Sequence, residues 1–316
     1  MNIFATALTY AAPSSNYRGE SEENRTIIQK VTQGRFEYAI ISPEAMRNAL
    51  RETLALYGLD CNRTRLTTED QLAVSFKEYP CPEKYADDFF FGYLLAMNAN
   101  DRKKIEEVRG KGYPIKRDSI LRMNLAKALE PYRYDTVFTQ SPLTVKTEGM
   151  PFQNATTSAL LLRETTVTAF QYPFAINLND CKMDDPEHGE RYKNWLLNLL
   201  KAISELNKVS GNHARSYFEM APASIVIRLT NSLVAGYDTY GFKSDGSLPE
   251  VIDGILAGDY PGEEFYIGGI IAREVLPHET LEKLAPKGVK IFRMASQAMD
   301  ALVQSHKVCG KGFLNQ

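Results

Sequence analysis

The sequence predicts an α+β fold, a sheet with helices on one side, and three observations lead there. Candidate elements run strand, loop, strand, helix, strand, strand, helix, strand, an order closer to a ferredoxin or RNA-recognition sheet than to a doubly wound one. No GxGxxG follows the first strand and no GxxxxGK[ST] occurs anywhere, so dinucleotide and P-loop nucleotide sites have no support. The chain has 316 residues, 44% hydrophobic and 24% charged, enough to bury one large core or two ordinary ones. That composition excludes disorder, collagen-like repeats and coiled coil as the main state.

Asn2 to Tyr10 alternates and reads as the first strand, emptying into a polar loop from Pro13 to Asn24. Phe36 to Ile41 reads as a second strand. Ser42-Pro43-Glu44 opens a helix, because a Ser N-cap accepts from an orphan amide and Pro is tolerated at N1. Met46, Leu50, Leu54 and Tyr57 give that helix its buried stripe and Gly58 its stop. Residues 59–87 are mixed and polar. Asp88 to Met97 is apolar on both parities, as a central strand covered on two faces would be. Gln140 to Thr166, rich in Thr, Ser, Gly and Pro, predicts a projecting hairpin or arm.

Phe170, Tyr172, Phe174, Ile176 and Leu178 alternate strictly and mark a strand with one buried face. Tyr192, Trp195, Leu196, Leu199, Ile203 and Leu206 recur at helical spacing, with Gly211 placed to end the helix soon after. Strands at Ser224 to Leu229 and Phe265 to Ile271 follow, then a last helix over Ile291 to Val303. There is no internal repeat.

With 37 Lys+Arg against 39 Asp+Glu, bulk positive charge cannot bind nucleic acid, so any polyanion site must be a local patch. Residues 102–122 supply one: Arg102, Lys103, Lys104, Arg109, Lys111, Lys116, Arg117 and Arg122 face only Glu106, Glu107 and Asp118. Cys61, Cys81, Cys181 and Cys309 form no CxxC and have no histidine in ligand register, against a zinc site or a redox dithiol. They read as reduced thiols. The start of the chain lacks the basic and apolar regions that secretion needs, so a cytoplasmic location is expected. No apolar run approaches the roughly 18 to 20 residues of a membrane span, so no membrane partner is expected.

Arg47 and Arg51 lie four apart on the helix capped by Ser42, where like charges repel unless an anion lies between them. Arg51 has no acidic residue three or four positions away, so at least one guanidinium is expected to be free; the competing reading is a solvated helix face. Asn16, Arg18, Asn24, Arg25 and Lys30 decorate the first loop and its exit, suited to backbone phosphates, although Glu20, Glu22 and Glu23 balance them. Gly211-Asn212-His213-Ala214-Arg215 combines donors to phosphate or ribose, or else a helix cap, a buried imidazole and an ion-pair partner. Acid–base candidates are Asp184, Asp185, Glu187 and His188, a stretch that also looks like an acidic helix start. His278 and His306 have no nucleophile motif beside them. Binding outweighs catalysis.

Four segments together resemble the Cas-seven family of CRISPR backbone subunits, in its DevR-like branch of type I-B and related Cascade complexes. Ile41 to Arg51 resembles that family's strand-to-helix signature with exposed basic residues. Asp87-Asp88-Phe89-Phe90-Phe91-Gly92-Tyr93-Leu94 is similar to the branch's acidic, aromatic Phe-Gly-Tyr strand. Lys116-Arg117-Asp118-Ser119-Ile120-Leu121-Arg122 is similar to its Arg-Asp-Ser segment, and Gly211 to Arg215 is the fourth match. The resemblance spans residue 2 to about 245 and leaves the remainder unassigned.

What the resemblance implies is one palm over 1–316 on an RNA-recognition-like (ferredoxin-like) fold, with fingers-like insertions at 59–87 and 98–118 and a β-hairpin thumb at 140–167. Copies would stack head to tail along a guide RNA (crRNA), bound by Asn16, Arg18, Arg25, Ser42, Arg47, Arg51, Lys116, Arg117, Arg122, Asn212, His213 and Arg215. Met150 and Phe152 would wedge a base aside at the thumb. Implied partners are the crRNA, target DNA through guide pairing, further copies, other Cascade subunits and, in some members of the branch, transposition proteins. The first loop lacks the aspartate with which type III relatives cut RNA, so the subunit is read as non-catalytic, with no cofactor and no metal. The rival readings are a metal-dependent endoribonuclease on the same fold and a monomeric α+β enzyme.

Overall fold

Alternation along Phe170–Asn177 makes that strand the hub of a central sheet. The computed structural model describes residues 1–22, 25–66, 73–96, 98–140, 160–209 and 217–305. In chain order the first strands are β1 (Asn2–Leu8), β2 (Ala12–Ser14), β3 (Tyr17–Glu22), β4 (Arg25–Ile28), β5 (Lys30–Gln33) and β6 (Phe36–Ile41). The expected loop after β1 is therefore mostly strand. Its strands belong to small outlying sheets, and a polar segment offers no apolar alternation to read.

Helix α1 (Pro43–Leu56) starts as predicted, with Ser42 Oγ accepting from the Ala45 amide at 3.2 Å. The hairpin β7 (Arg63–Leu66) and β8 (Ala73–Phe76) precedes α2 (Ala86–Phe91). Here the predicted central strand over 88–97 is corrected: residues 86–91 are one short helix, buried on every side. An apolar run without alternation cannot separate a buried helix from a buried strand. Gly92 ends it at φ +62°, where an added Cβ would overlap the Arg117 carbonyl oxygen.

Next come β9 (Tyr93–Leu94), α3 (Ala99–Arg109), β10 (Lys116–Arg117), β11 (Leu121–Met123), β12 (Ala126–Ala128), β13 (Thr136–Gln140), β14 (Leu160–Glu164), β15 (Thr166–Thr168) and β16 (Phe170–Asn177). Asn98 Oδ1 caps α3 by accepting from the Asn100 and Asp101 amides. Helix α4 (Gly189–Ser204) is capped at Glu205, so it stops short of the predicted end near Gly211, which lies outside the described residues. The chain closes with β17 (Ser224–Thr230), α5 (Pro249–Ala257), β18 (Phe265–Gly269), α6 (His278–Leu284), β19 (Lys290–Phe292) and α7 (Ala295–Val303). The last predicted helix thus loses its first residues to β19.

The central sheet has nine strands in the order β19-β18-β17-β1-β16-β12-β6-β5, with β11 also paired to β16. One face, bearing Ile3, Ala5, Tyr172, Phe174 and Ile227, packs on α1, α4 and α7. Each fully buried large apolar side chain there contributes about 1.5–3 kcal/mol. On the other face, Leu8, Val226, Phe265 and Ile267 meet Val251 and Ile255 of α5 and Leu284 of α6, and the segment 239–242 covers Thr6 of β1 and Gln171 of β16. Helices on one side alone, as predicted, therefore describes only part of the sheet. The unassigned residues after 245 give α5 and α6 to this second layer and α7 to the first.

A separate four-stranded sheet, β13-β14-β4-β3, joins the first hairpin to the flanks of the predicted arm. β13 and β14 pair antiparallel from Thr136↔Glu164 to Gln140↔Leu160. The hairpin's intervening residues, with Met150 and Phe152, lie outside the described residues.

Candidate nucleic-acid interface

Helix α1 buries Met46, Leu50 and Leu54 and carries Arg47 and Arg51 one turn apart. The two diverge. Arg47 is half-buried, its Nε has no hydrogen-bond partner, and it has no ion pair among the described residues. Arg51 is only 7% exposed, its Nε donates to Asp87 Oδ2 at 2.9 Å, and its guanidinium lies 5.1 Å from the Phe91 ring centroid. At least one of the two guanidiniums has no ion pair among the described residues, as expected, but it is that of Arg47: the partner of Arg51 comes from α2 and not from its own helix.

Asp87 also accepts from the amides of Asn62 at 2.7 Å and Arg63 at 3.0 Å. Its neighbour Asp88 accepts from Asn62 Nδ2 at 2.9 Å and the Cys81 amide at 2.8 Å. Burial pushes the Asp88 carboxyl up to about 6, with the Asp87 charge adding to the shift. These two buried carboxylates anchor Asn62, Arg63 and Cys81 to α2.

Two further candidates are structural. Asn16 is buried, and its Nδ2 donates to the Ile40 carbonyl at 2.7 Å, tying the chain after β2 to β6. Ser42 spends its hydroxyl oxygen on the α1 cap. Asn16 and Ser42 thus each hold a structural hydrogen bond.

Arg122 is exposed in β11, between the buried Leu121 and Met123. Through Ala175 of β16 it lies in cross-strand register with Phe4 of β1, on the sheet face opposite the α1 and α4 core. Lys116 is exposed and Arg117 half-buried, with the Arg117 guanidinium 5.4 Å from the Phe89 ring. That ring stacks on Tyr192 with centroids 4.4 Å apart. In the rest of the basic stretch, Arg102 pairs with Glu106 at 3.6 Å, Lys104 with Asp101 at 3.9 Å and Arg109 with Glu78 at 3.0 Å. Lys103, Lys111, Lys116 and Arg122 carry no ion pair among the described residues.

Arg25 lies 5.7 Å from the Tyr134 ring centroid and 3.7 Å from Glu164, a 3%-exposed carboxylate that also draws Lys30 to 3.8 Å. Beside it, Phe36, Tyr132, Tyr134 and Thr165 to Thr168 line a cleft of about 850 Å³. The sequence reading passed over this cleft and over Lys127, held between the Tyr38 and Tyr240 rings at 5.4 and 5.1 Å. Only residues far apart in the chain assemble them, so local periodicity carried no signal. The side chain of Arg18 and all of Asn212, His213 and Arg215 lie outside the described residues.

The acid–base candidates have a structural explanation. Asp185 Oδ1 accepts from the amides of Glu187 and His188 just before α4, and those bonds hold its carboxyl below the usual range. His278 is exposed and pairs with Glu282 one turn on. No helix among the described residues is long and apolar enough to cross a membrane.

No family profile matches the chain. The resemblance read from the sequence is borne out by a "CRISPR-associated protein Cas7/Cst2/DevR" of Myxococcus xanthus (strain DK1622), 28% identical over 285 residues, 85% of this chain and 86% of that protein. The fold is shared with a chain of a "CRISPR RNA-guided surveillance complex, pre-nicking", at TM-score 0.62 and 12% identity, covering 96% of this chain and 99% of that one. A second such complex gives TM-score 0.55 at 14% identity, covering 96% and 98%.

Proposed function

We propose that this homologue of the Cas7/Cst2/DevR protein is a non-catalytic subunit that binds guide RNA and polymerises along it as the backbone of a type I CRISPR effector complex. The observation that carries the reading is the 28% identity extending over 85% of the chain. The palm is read as RNA-recognition-like, with fingers at 59–87 and 98–118. The pairing of β13 with β14 supports a hairpin thumb over 140–167.

In this reading Arg47, Lys116, Arg117 and Arg122 meet guide phosphates, Arg25 acts at the thumb root, and Arg18, Asn212, His213 and Arg215 complete the path. Phosphate contacts fix position without reading sequence, and base pairing between guide and target DNA supplies specificity. Further copies of the chain and other Cascade subunits are the protein partners.

The test is to purify the protein from its native host and sequence the nucleic acid that comes with it. RNA of one defined length, bound with steep salt dependence and little base preference, is expected. Cleavage of that RNA on adding Mg²⁺ or Mn²⁺ would overturn the non-catalytic assignment, and protein free of RNA would overturn the whole reading.

A further inference from the structure

The fingers-like segment carries charge that the proposed guide path does not use. Between the second half of α1, the Gly58–Asp60 turn and the β7–β8 hairpin lies a cleft of about 570 Å³ lined by Arg51, Arg63, Arg65 and Lys77. Asp60 and Glu52 line it too, so four cations face two carboxylates. Glu52 accepts from Asn48 Nδ2 at 3.0 Å and pairs with none of the four.

The arrangement is unbalanced by construction. Asp87 is spent on Arg51 Nε and on two backbone amides, and the Arg63 side chain makes no ion pair among the described residues. Arg63 Nε is buried without a hydrogen-bond partner. Burial holds this guanidinium below its ordinary range, Arg51 beside it adds to the effect, and Asp87 opposes it only in part. Arg65 stands on the same side of β7, two residues on, and is exposed. Lys77 is exposed, bonds through its amide to the Asn62 carbonyl, and acts electrostatically on Cys61 at the cleft floor together with Arg51. A protein keeps a half-buried arginine beside another guanidinium at a cost in stability, and an anion entering the cleft offsets that cost.

We propose that this cleft binds a phosphate of a single nucleic-acid strand, with Arg63 as its buried donor and Arg65 and Lys77 closing on the phosphate oxygens. Arginine's planar fork suits a phosphate, and lysine adds a mobile point charge. Neither Arg47 nor Arg122 lines the cleft, and its charge imbalance stands whether or not the strand is a guide.

The test compares the full chain with Arg63→Gln and Lys77→Gln, by melting and by anisotropy of a labelled polyuridine strand. Inorganic phosphate and uridine monophosphate serve as parallel probes. Each variant should bind the strand roughly tenfold more weakly, while the melting temperature of Arg63→Gln stays level or rises because a frustrated cation is gone. Arg63→Gln that melts lower and binds as before would make the arginine structural and overturn the site. Lys77→Gln, exposed and harmless to folding, overturns it too if binding is unchanged. Uridine monophosphate binding as tightly as the strand, and lost in the variants, would assign the cleft to a free nucleotide and overturn the strand assignment. If the wild-type chain binds no RNA, the guide reading fails; the cleft then survives only if inorganic phosphate raises the melting temperature of wild type and not of Arg63→Gln.

Discussion

Arg51 and Asp87, thirty-six positions apart, form a buried ion pair at 2.9 Å that joins α1 to α2. Removing one partner of such a pair leaves the other charged in a poorly solvated site, which costs about 3–5 kcal/mol. Asp87→Ala should lose at least that much, since it also strips acceptors from the Asn62 and Arg63 amides. Urea denaturation followed by far-UV circular dichroism measures it; a loss below about 1 kcal/mol would show that the pair is solvated.

The same pair shows how far the sequence could be read. The α1 start at Ser42 and its stripe of Met46, Leu50 and Leu54 are local patterns that took their predicted form, and the alternation of Phe170 to Ile176 marked a strand correctly but not its second buried face, where Gln171 and Pro173 are covered too. Arg51 was misread because its neutralising carboxylate is distant in sequence, and the Phe89–Phe91 run because full burial erases the period that separates helix from strand. The structural role of Asn16 was missed for a third reason: a polar side chain in a polar segment gives no sign that it will be buried against a backbone carbonyl. Arg122 was legible within an unmistakably basic stretch. Its exposed face became visible only once β11 was placed in register with β16.

Asp88 gives a pH dependence. Its folded carboxyl titrates near 6, above the ordinary aspartate value of 3.8, so between those values the folded protein holds a proton that the unfolded chain has released. Stability contributed by this group is therefore complete below about pH 4 and falls as pH rises to about 6, by roughly 2–3 kcal/mol at most. Asp88→Asn should flatten that limb and raise stability at neutral pH, as read from melting temperature against pH. Parallel curves for wild type and variant would sink this assignment.

Gly92 must leave α2 at φ +62° beneath the Arg117 carbonyl. Gly92→Ala adds both a left-handed strain and a backbone overlap, so it should cost well over about 1 kcal/mol. The loss should concentrate where β9 meets β10, and hydrogen exchange at Leu95, whose amide bonds to Ile115, reports it. Unchanged protection there would contradict the packing described.

Arg47 and Arg122 now carry the test of the guide path, since Arg51 cannot be probed without damaging the core. Arg122 is exposed and Arg47 half-buried, and neither has an ion pair among the described residues, so Arg47→Ala and Arg122→Ala should each shift stability by no more than about 0.5 kcal/mol. If each holds one phosphate, every RNA sequence should bind more weakly by a similar factor. The slope of log affinity against log salt should fall by about 0.7 per variant, the single-strand value. Because each copy on a filament would repeat the defect, RNA-bound oligomers of the double variant should vanish in sizing chromatography while the monomer remains folded. Normal filaments from Arg47→Ala/Arg122→Ala protein, with an unaltered salt slope, would remove both side chains from the RNA path.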